Sequence, residues 1–162
     1  MLQKFAIKQL SDLRELLNQL NEEDYCTPME KVFNSTIGKH TRHIIEFYQL
    51  FLKAYDGLHL CYDERSRNIN LESSINDALF ALNEIIQQLD SNLEDKELQL
   101  RTCILGEKHN LKTSVSRELL YLLEHTTHHL ASIRIGVSNL NPDFNSLQEL
   151  GVAYSTPNLQ NS

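Results

Sequence analysis

Val115-Ser116-Arg117-Glu118-Leu119-Leu120-Tyr121-Leu122-Leu123-Glu124-His125-Thr126-Thr127-His128-His129-Leu130-Ala131-Ser132-Ile133 is the stretch that decides the fold. Val115, Leu119, Leu122, Thr126, Leu130, Ile133 and, just beyond, Val137 recur every three or four residues, the period that keeps side chains on one face of an α-helix. Thr113 or Ser114 can cap its start, and Asn139, Asn141 and Pro142 end it.

Three more stretches carry the same period. The first runs from about Leu2 to Leu20, with Leu10, Leu13, Leu17 and Leu20 as its stripe. The second opens near Asn34 or Ser35 and runs through Ile37, Ile44, Phe47, Leu50, Phe51 and Ala54 to a stop at Gly57. Its apolar positions, Leu50 apart, fall in a roughly 100° arc. Ile45 falls off it and is expected to touch a loop or a partner chain. The third spans about Leu71 to Leu89, with Leu71, Ile75, Ala78, Leu79, Leu82, Ile86 and Leu89 inward.

The connections are uneven. Asn21 to Asn34 is long, and Tyr25, Met29 and Phe33 suggest that it packs on the helices. Leu58 to Asn70 is dense in charge. Between Leu98 and Leu111 the period shifts to alternation, with Gly106 where a turn would fall; this reads as a short β-hairpin or an irregular loop. Asn141 to Ser162 is polar with scattered Phe144, Leu147, Leu150 and Val152, consistent with one docked helical turn and a frayed end. The sum is an all-α four-helix bundle, one domain over residues 1–162, whose long connections need not give up-down-up-down order.

Composition narrows the function. With 162 residues the chain is long enough for a real core. Lys plus Arg is 15 against 22 Asp plus Glu, a formal net charge of −7. No basic cluster is available for phosphate contacts, so a nucleic-acid or anionic-membrane partner is not expected. No stretch approaches a membrane span. Met1 to Ile7 leads into an amphipathic pattern without the apolar region of a signal peptide. Cys26, Cys61 and Cys103 form no CxxC pair and read as reduced thiols in a cytoplasm.

The histidines carry the chemistry. On the last helix His125 and His129 stand four apart, about 40° from each other around the axis, and His128 points about 100° away from His129. The pair that can share a ligand is therefore His125 and His129. On the second helix His40 and His43 are both eligible, and periodicity does not choose between them. Neutral imidazoles suit borderline metals, and three of them leave a coordination position open. The competing reading is a histidine interface satisfied by carbonyls or water. A zincin would need H-E-x-x-H, and a di-iron bundle Glu-x-x-His; neither occurs.

Ser35-Thr36-Ile37-Gly38-Lys39-His40-Thr41-Arg42-His43-Ile44-Ile45-Glu46-Phe47-Tyr48 and Arg117 to Ile133 together resemble the DinB/YfiT-like superfamily. The loop Tyr62-Asp63-Glu64-Arg65-Ser66-Arg67-Asn68 is similar to one of its subgroups. The resemblance covers about Ile37 to Gly136. It implies a four-helix bundle with a metal site on His43, His125 and His129, with His40 and His128 as neighbours. It further implies a divalent ion (zinc, nickel or iron) and a metal-dependent enzyme of thiol S-transferase or hydrolase type. The substrate would be a small molecule such as a low-molecular-weight thiol. The alternative is a ligand-binding or homodimerising bundle in which the histidines are packing.

Around these residues, Asp63, Arg65 and Arg67 could seat an anionic substrate group, but exposed charges ordinarily pair among themselves, and that reading is preferred. Glu46 falls off the apolar arc and reads as a surface residue. Glu118, seven before His125, is the better candidate for supporting a ligand. Tyr48 and Tyr121 read as packing residues with a polar tip, and no cysteine is marked as a nucleophile.

Overall fold

All four amphipathic runs are helices in a computed structural model, which describes residues 1–140 and 150–152. In chain order the elements are α1 (Leu2–Leu17), α2 (Glu22–Cys26), α3 (Ile37–Gly57), β1 (His59–Leu60), α4 (Asn70–Ser73), α5 (Ile75–Asp90), β2 (Glu97–Ile104), β3 (Glu107–Ser114) and α6 (Val115–Leu140). Single 3-10 turns stand at Glu30–Val32 and Tyr62–Glu64. The long helices α1, α3, α5 and α6 form the four-helix bundle. α1 packs on α5 and α6, and α3 packs on the same two. Helices α1 and α3, successive long helices in the chain, therefore sit mainly across a diagonal.

The stripe of α6 is buried in full, from Val115 through Thr126 to Val137. Ser114 accepts from the Arg117 amide and caps the helix. Leu10, Leu13 and Leu17 of α1 and Ala78, Leu82 and Leu89 of α5 lie in the same core. No helix among the described residues is long and apolar enough to cross a membrane. Cys26, Cys61 and Cys103 are all free.

Several expectations are corrected. The start of α3 is capped by Thr36, whose hydroxyl accepts from the Lys39 amide at 3.0 Å. Gly57 is still helical, and the left-handed residue that ends the helix is Leu58, at φ 63°. The third run is broken at Ser74, which caps α5 by accepting from Asp77 and leaves α4 as a separate turn. That turn is docked on α3. Arg42 pairs with Glu72 at 2.6 Å, and Tyr25 donates to the Leu71 carbonyl at 2.6 Å. A Cβ on Gly38 would run into the Glu72 carbonyl, so the approach requires glycine there.

Ile45, off the main apolar arc, is fully buried in the core. Phe33, expected to pack, is almost entirely exposed, whereas Tyr25 and Met29 are buried. The alternating segment is a hairpin rather than an irregular loop, and longer than expected, with Ile104 paired to Glu107. Leu105 and Gly106 both have positive φ, the geometry of a type I′ turn. β1 adds a parallel third strand on β2, which fastens the charged loop that follows it. Residues 141–149 and 153–162, where a docked turn was expected, lie outside the described residues; Leu150, next to them, is buried.

Candidate metal centre

Helices α3 and α6 face each other, and their histidines meet between them. His43 comes from α3; His125 and His129 come from successive turns of α6. One ligand nitrogen from each lies within 4.8 Å of the others. His43 Nε2 is 2.9 Å from His125 Nε2, which is 3.2 Å from His129 Nε2. Nitrogens about 2.0–2.1 Å from a tetrahedral zinc stand about 3.3 Å apart. The donor set and its spacing fit a divalent ion.

His40 takes a different place. Its Nδ1 is 2.9 Å from Nδ1 of His129, on the ring edge turned away from His125. A ligating imidazole commonly holds its second nitrogen in a hydrogen bond, which fixes the ring and its tautomer. His40 is placed to do this for His129, while its own Nε2 is buried without a partner among the described residues. His128 is exposed on the flank of α6.

The cluster is held neutral. Burial, then Arg65 and the neighbouring imidazoles, push His43 down to about 3. Burial, then His128 and Arg65, bring His125 down to about 4, and burial followed by His43 and His125 brings His129 to about 2. His40 is lowered by burial and by His128. Neutral rings keep lone pairs available, which is the form a metal requires.

An aromatic wall closes one side. Phe47 lies 4.4 Å from the His43 and His125 rings and stacks on Tyr62 at 4.7 Å. Tyr121 lies 5.4 Å from both the His125 and the Tyr62 rings. Glu118 is buried, but it supports the wall rather than a histidine. It accepts from Tyr62 at 2.9 Å and from Thr113 at 2.6 Å. Burial and Glu118 together raise the Tyr62 phenol far above its ordinary range.

The charged loop divides into distinct roles. Asp63 accepts from the Cys103 amide at 3.0 Å, which ties the loop to β2 and uses this charge within the fold, as expected of a solvated loop. Arg67 is exposed. Arg65 departs from that reading: its Nη1 donates to His43 Nδ1 at 2.9 Å, and its guanidinium lies over Phe47. Glu46 is not a surface residue. It is 3% exposed and accepts from the Asn68 amide at 2.7 Å, holding the loop that carries Arg65.

The family model of the DinB superfamily matches residues 7–133. The chain belongs to the DinB superfamily. Neither a curated protein nor a solved structure matches it. Within this DinB-superfamily bundle the structure brings His43, His125 and His129 into one cluster compatible with a metal site. Arg65 reaches that cluster, and Tyr62 the aromatic wall beside it, through a loop whose composition alone marked it as solvent-facing. The parallel β1–β2 pairing that positions them leaves no periodic trace in two residues.

Proposed function

We propose that the chain is a metal-dependent enzyme of thiol S-transferase or hydrolase type, built as a single cytoplasmic domain over residues 1–162. His43, His125 and His129 would hold one divalent ion, with zinc, nickel and iron as candidates. The observation that carries this reading is the convergence of three neutral imidazoles from two helices, with spacing suited to one ion. When bound, such an ion supplies Lewis acidity, which lowers the pKa of a coordinated water or thiol. The protein's own residues do the rest. His40 orients His129, Phe47 and Tyr121 keep water from the His125 face, and Tyr62 is held by Glu118 as part of the cavity wall.

One observation favours a second reading, a non-catalytic ligand-binding or homodimerising bundle. The imidazoles already lie within hydrogen-bond distance of one another, and Arg65 bonds His43, so the cluster is largely satisfied as packing.

Metal content of protein purified without a polyhistidine tag separates the two. About one equivalent is expected in wild type, in His128→Ala and in His40→Ala, with loss in His43→Ala and His129→Ala. Less than about a tenth of an equivalent after reconstitution with zinc or nickel rules the metal reading out. If thiol conjugation and ester or amide hydrolysis show no chelator-sensitive turnover, the second reading takes its place.

A further inference from the structure

A cavity of about 310 Å³ opens beside the aromatic wall, and three arginines, Arg65, Arg101 and Arg117, are among the residues that line it. This concentration runs against a chain with formal net charge −7. Two carboxylates, Asp63 and Glu118, also line the space, but both are engaged in the fold. Asp63 is bonded to the Cys103 amide, and Glu118 accepts from both Tyr62 and Thr113. Glu118 stands 3.9 Å from Arg117. Among the described residues, no carboxylate is within ion-pair distance of Arg65 or Arg101.

Arg65 sits between the cavity and the histidines. Arg65 is half-buried, its guanidinium rests 5.0 Å from the Phe47 centroid, and among the described residues its hydrogen-bond partner is His43, whose Nδ1 and Nε2 lie 2.9 and 3.4 Å from Nη1. A guanidinium has five N–H donors in a planar fork, so most of them are left to face the cavity. A cation on the imidazole lone pairs would also compete with this contact. Metal binding through Nε2 leaves the proton on His43 Nδ1, which then cannot accept from Arg65. Arg65 would have to turn away, and a second cation nearby favours an anion between the two.

We propose that this cavity is the substrate pocket, and that it takes a small molecule whose oxyanion group, a carboxylate or a phosphate, seats on Arg65. A planar apolar body would lie against Phe47, Tyr62 and Tyr121. Arg101 and the exposed Arg117 guard the mouth and draw the anion inward. The proposal rests on the metal-dependent reading in one respect: it makes the histidine face the reacting side of the pocket.

Benzoate and phenylphosphonate serve as probes, with benzamide as the uncharged control, titrated by calorimetry into full-length protein. The titrations are run both after chelator treatment and after zinc reconstitution. Either anion is expected to bind at least about tenfold tighter than benzamide, and the tighter of the two assigns the group as carboxylate or phosphate. Arg65→Gln is expected to weaken the anion about tenfold, with partial recovery in Arg65→Lys. If Arg65→Gln fails to fold, the double variant Arg101→Gln/Arg117→Gln carries the test. It removes charge only at the mouth, and about threefold weakening is expected. Equal binding of benzoate and benzamide, no binding of either anion, or unchanged affinity in the variants overturns the pocket. Stoichiometric zinc without arginine-dependent binding sinks the pocket and leaves the metal reading intact. Arginine-dependent binding without zinc does the reverse.

Discussion

The α1–α5 side of the bundle and the α3–α6 side share one helical period but differ in chemistry. α1 and α5 fill their contact with Leu10, Leu13, Leu17, Ala78, Leu82 and Leu89, all buried hydrocarbon. α3 and α6 begin in the same way, with Ile44, Phe51, Leu122 and Ile133. Their stripes are then interrupted by His40, His43, His125 and His129, ringed by Phe47, Tyr62 and Tyr121. An uninterrupted stripe does only one thing, which is to remove apolar surface from water. Imidazoles in the same positions give up part of that stabilisation and gain lone pairs that face a common point. The first interface holds the molecule together, and the second is held in shape by it.

The sharpest way to break the comparison is to damage the apolar side alone. Leu82→Ala should lower unfolding free energy by about 2–5 kcal/mol, read by urea denaturation. Metal bound per folded molecule should not change. A loss of metal in step with stability would show that the two sides are not separable.

A smaller effect is expected at the support of the site. Glu46 is a buried carboxylate that accepts from the Asn68 amide. Glu46→Ala should cost about 1–3 kcal/mol by leaving that donor unpaired. Amide exchange at Asn68 should quicken while exchange in α1 and α5 stays as it was. An unchanged Asn68 amide would remove Glu46 from the account of how Arg65 is placed.

The smallest effect separates the two sides by pH. In chelator-treated protein, His43, His125 and His129 titrate in the folded state near 3, 4 and 2, all below the ordinary imidazole value. As pH falls below about 6.5 the unfolded chain takes up these protons and the folded chain does not. Their penalty is therefore absent above about pH 6.5 and grows as pH falls toward the folded values. Wild type should lose stability between about pH 6.5 and 5, before most carboxylates titrate, and His129→Ala should lose less over that range. Parallel slopes for the two proteins would contradict the neutral, desolvated cluster.

What was legible in the sequence follows the same division. The α6 stripe, the hairpin around Gly106 and the shared face of His125 and His129 all follow from local period and turn chemistry. The choice of His43 over His40 came from resemblance. The structure shows the physical difference: Nε2 of His43 faces His125, and Nδ1 of His40 faces the back of His129. Glu46 was misplaced because a single apolar arc describes one buried face. α3 has a second covered face, where Glu46 receives the Asn68 amide and Gly38 meets α4. Phe33 was misread the other way, because apolarity in a connection does not say which residues turn inward.

The sequence by itself determined the four helices, the inward stripes that make them a bundle, and the spacing that puts His125 with His129. Each is a property of neighbours along the chain, where the helical period is sufficient. Tertiary structure alone decided that Arg65 reaches His43, that Tyr62 stacks on Phe47 against Glu118, and that a three-arginine cavity opens beside the imidazoles. Those contacts join residues far apart in the chain through a two-strand parallel pairing and a buried carboxylate. Neither imposes a period that local order could reveal.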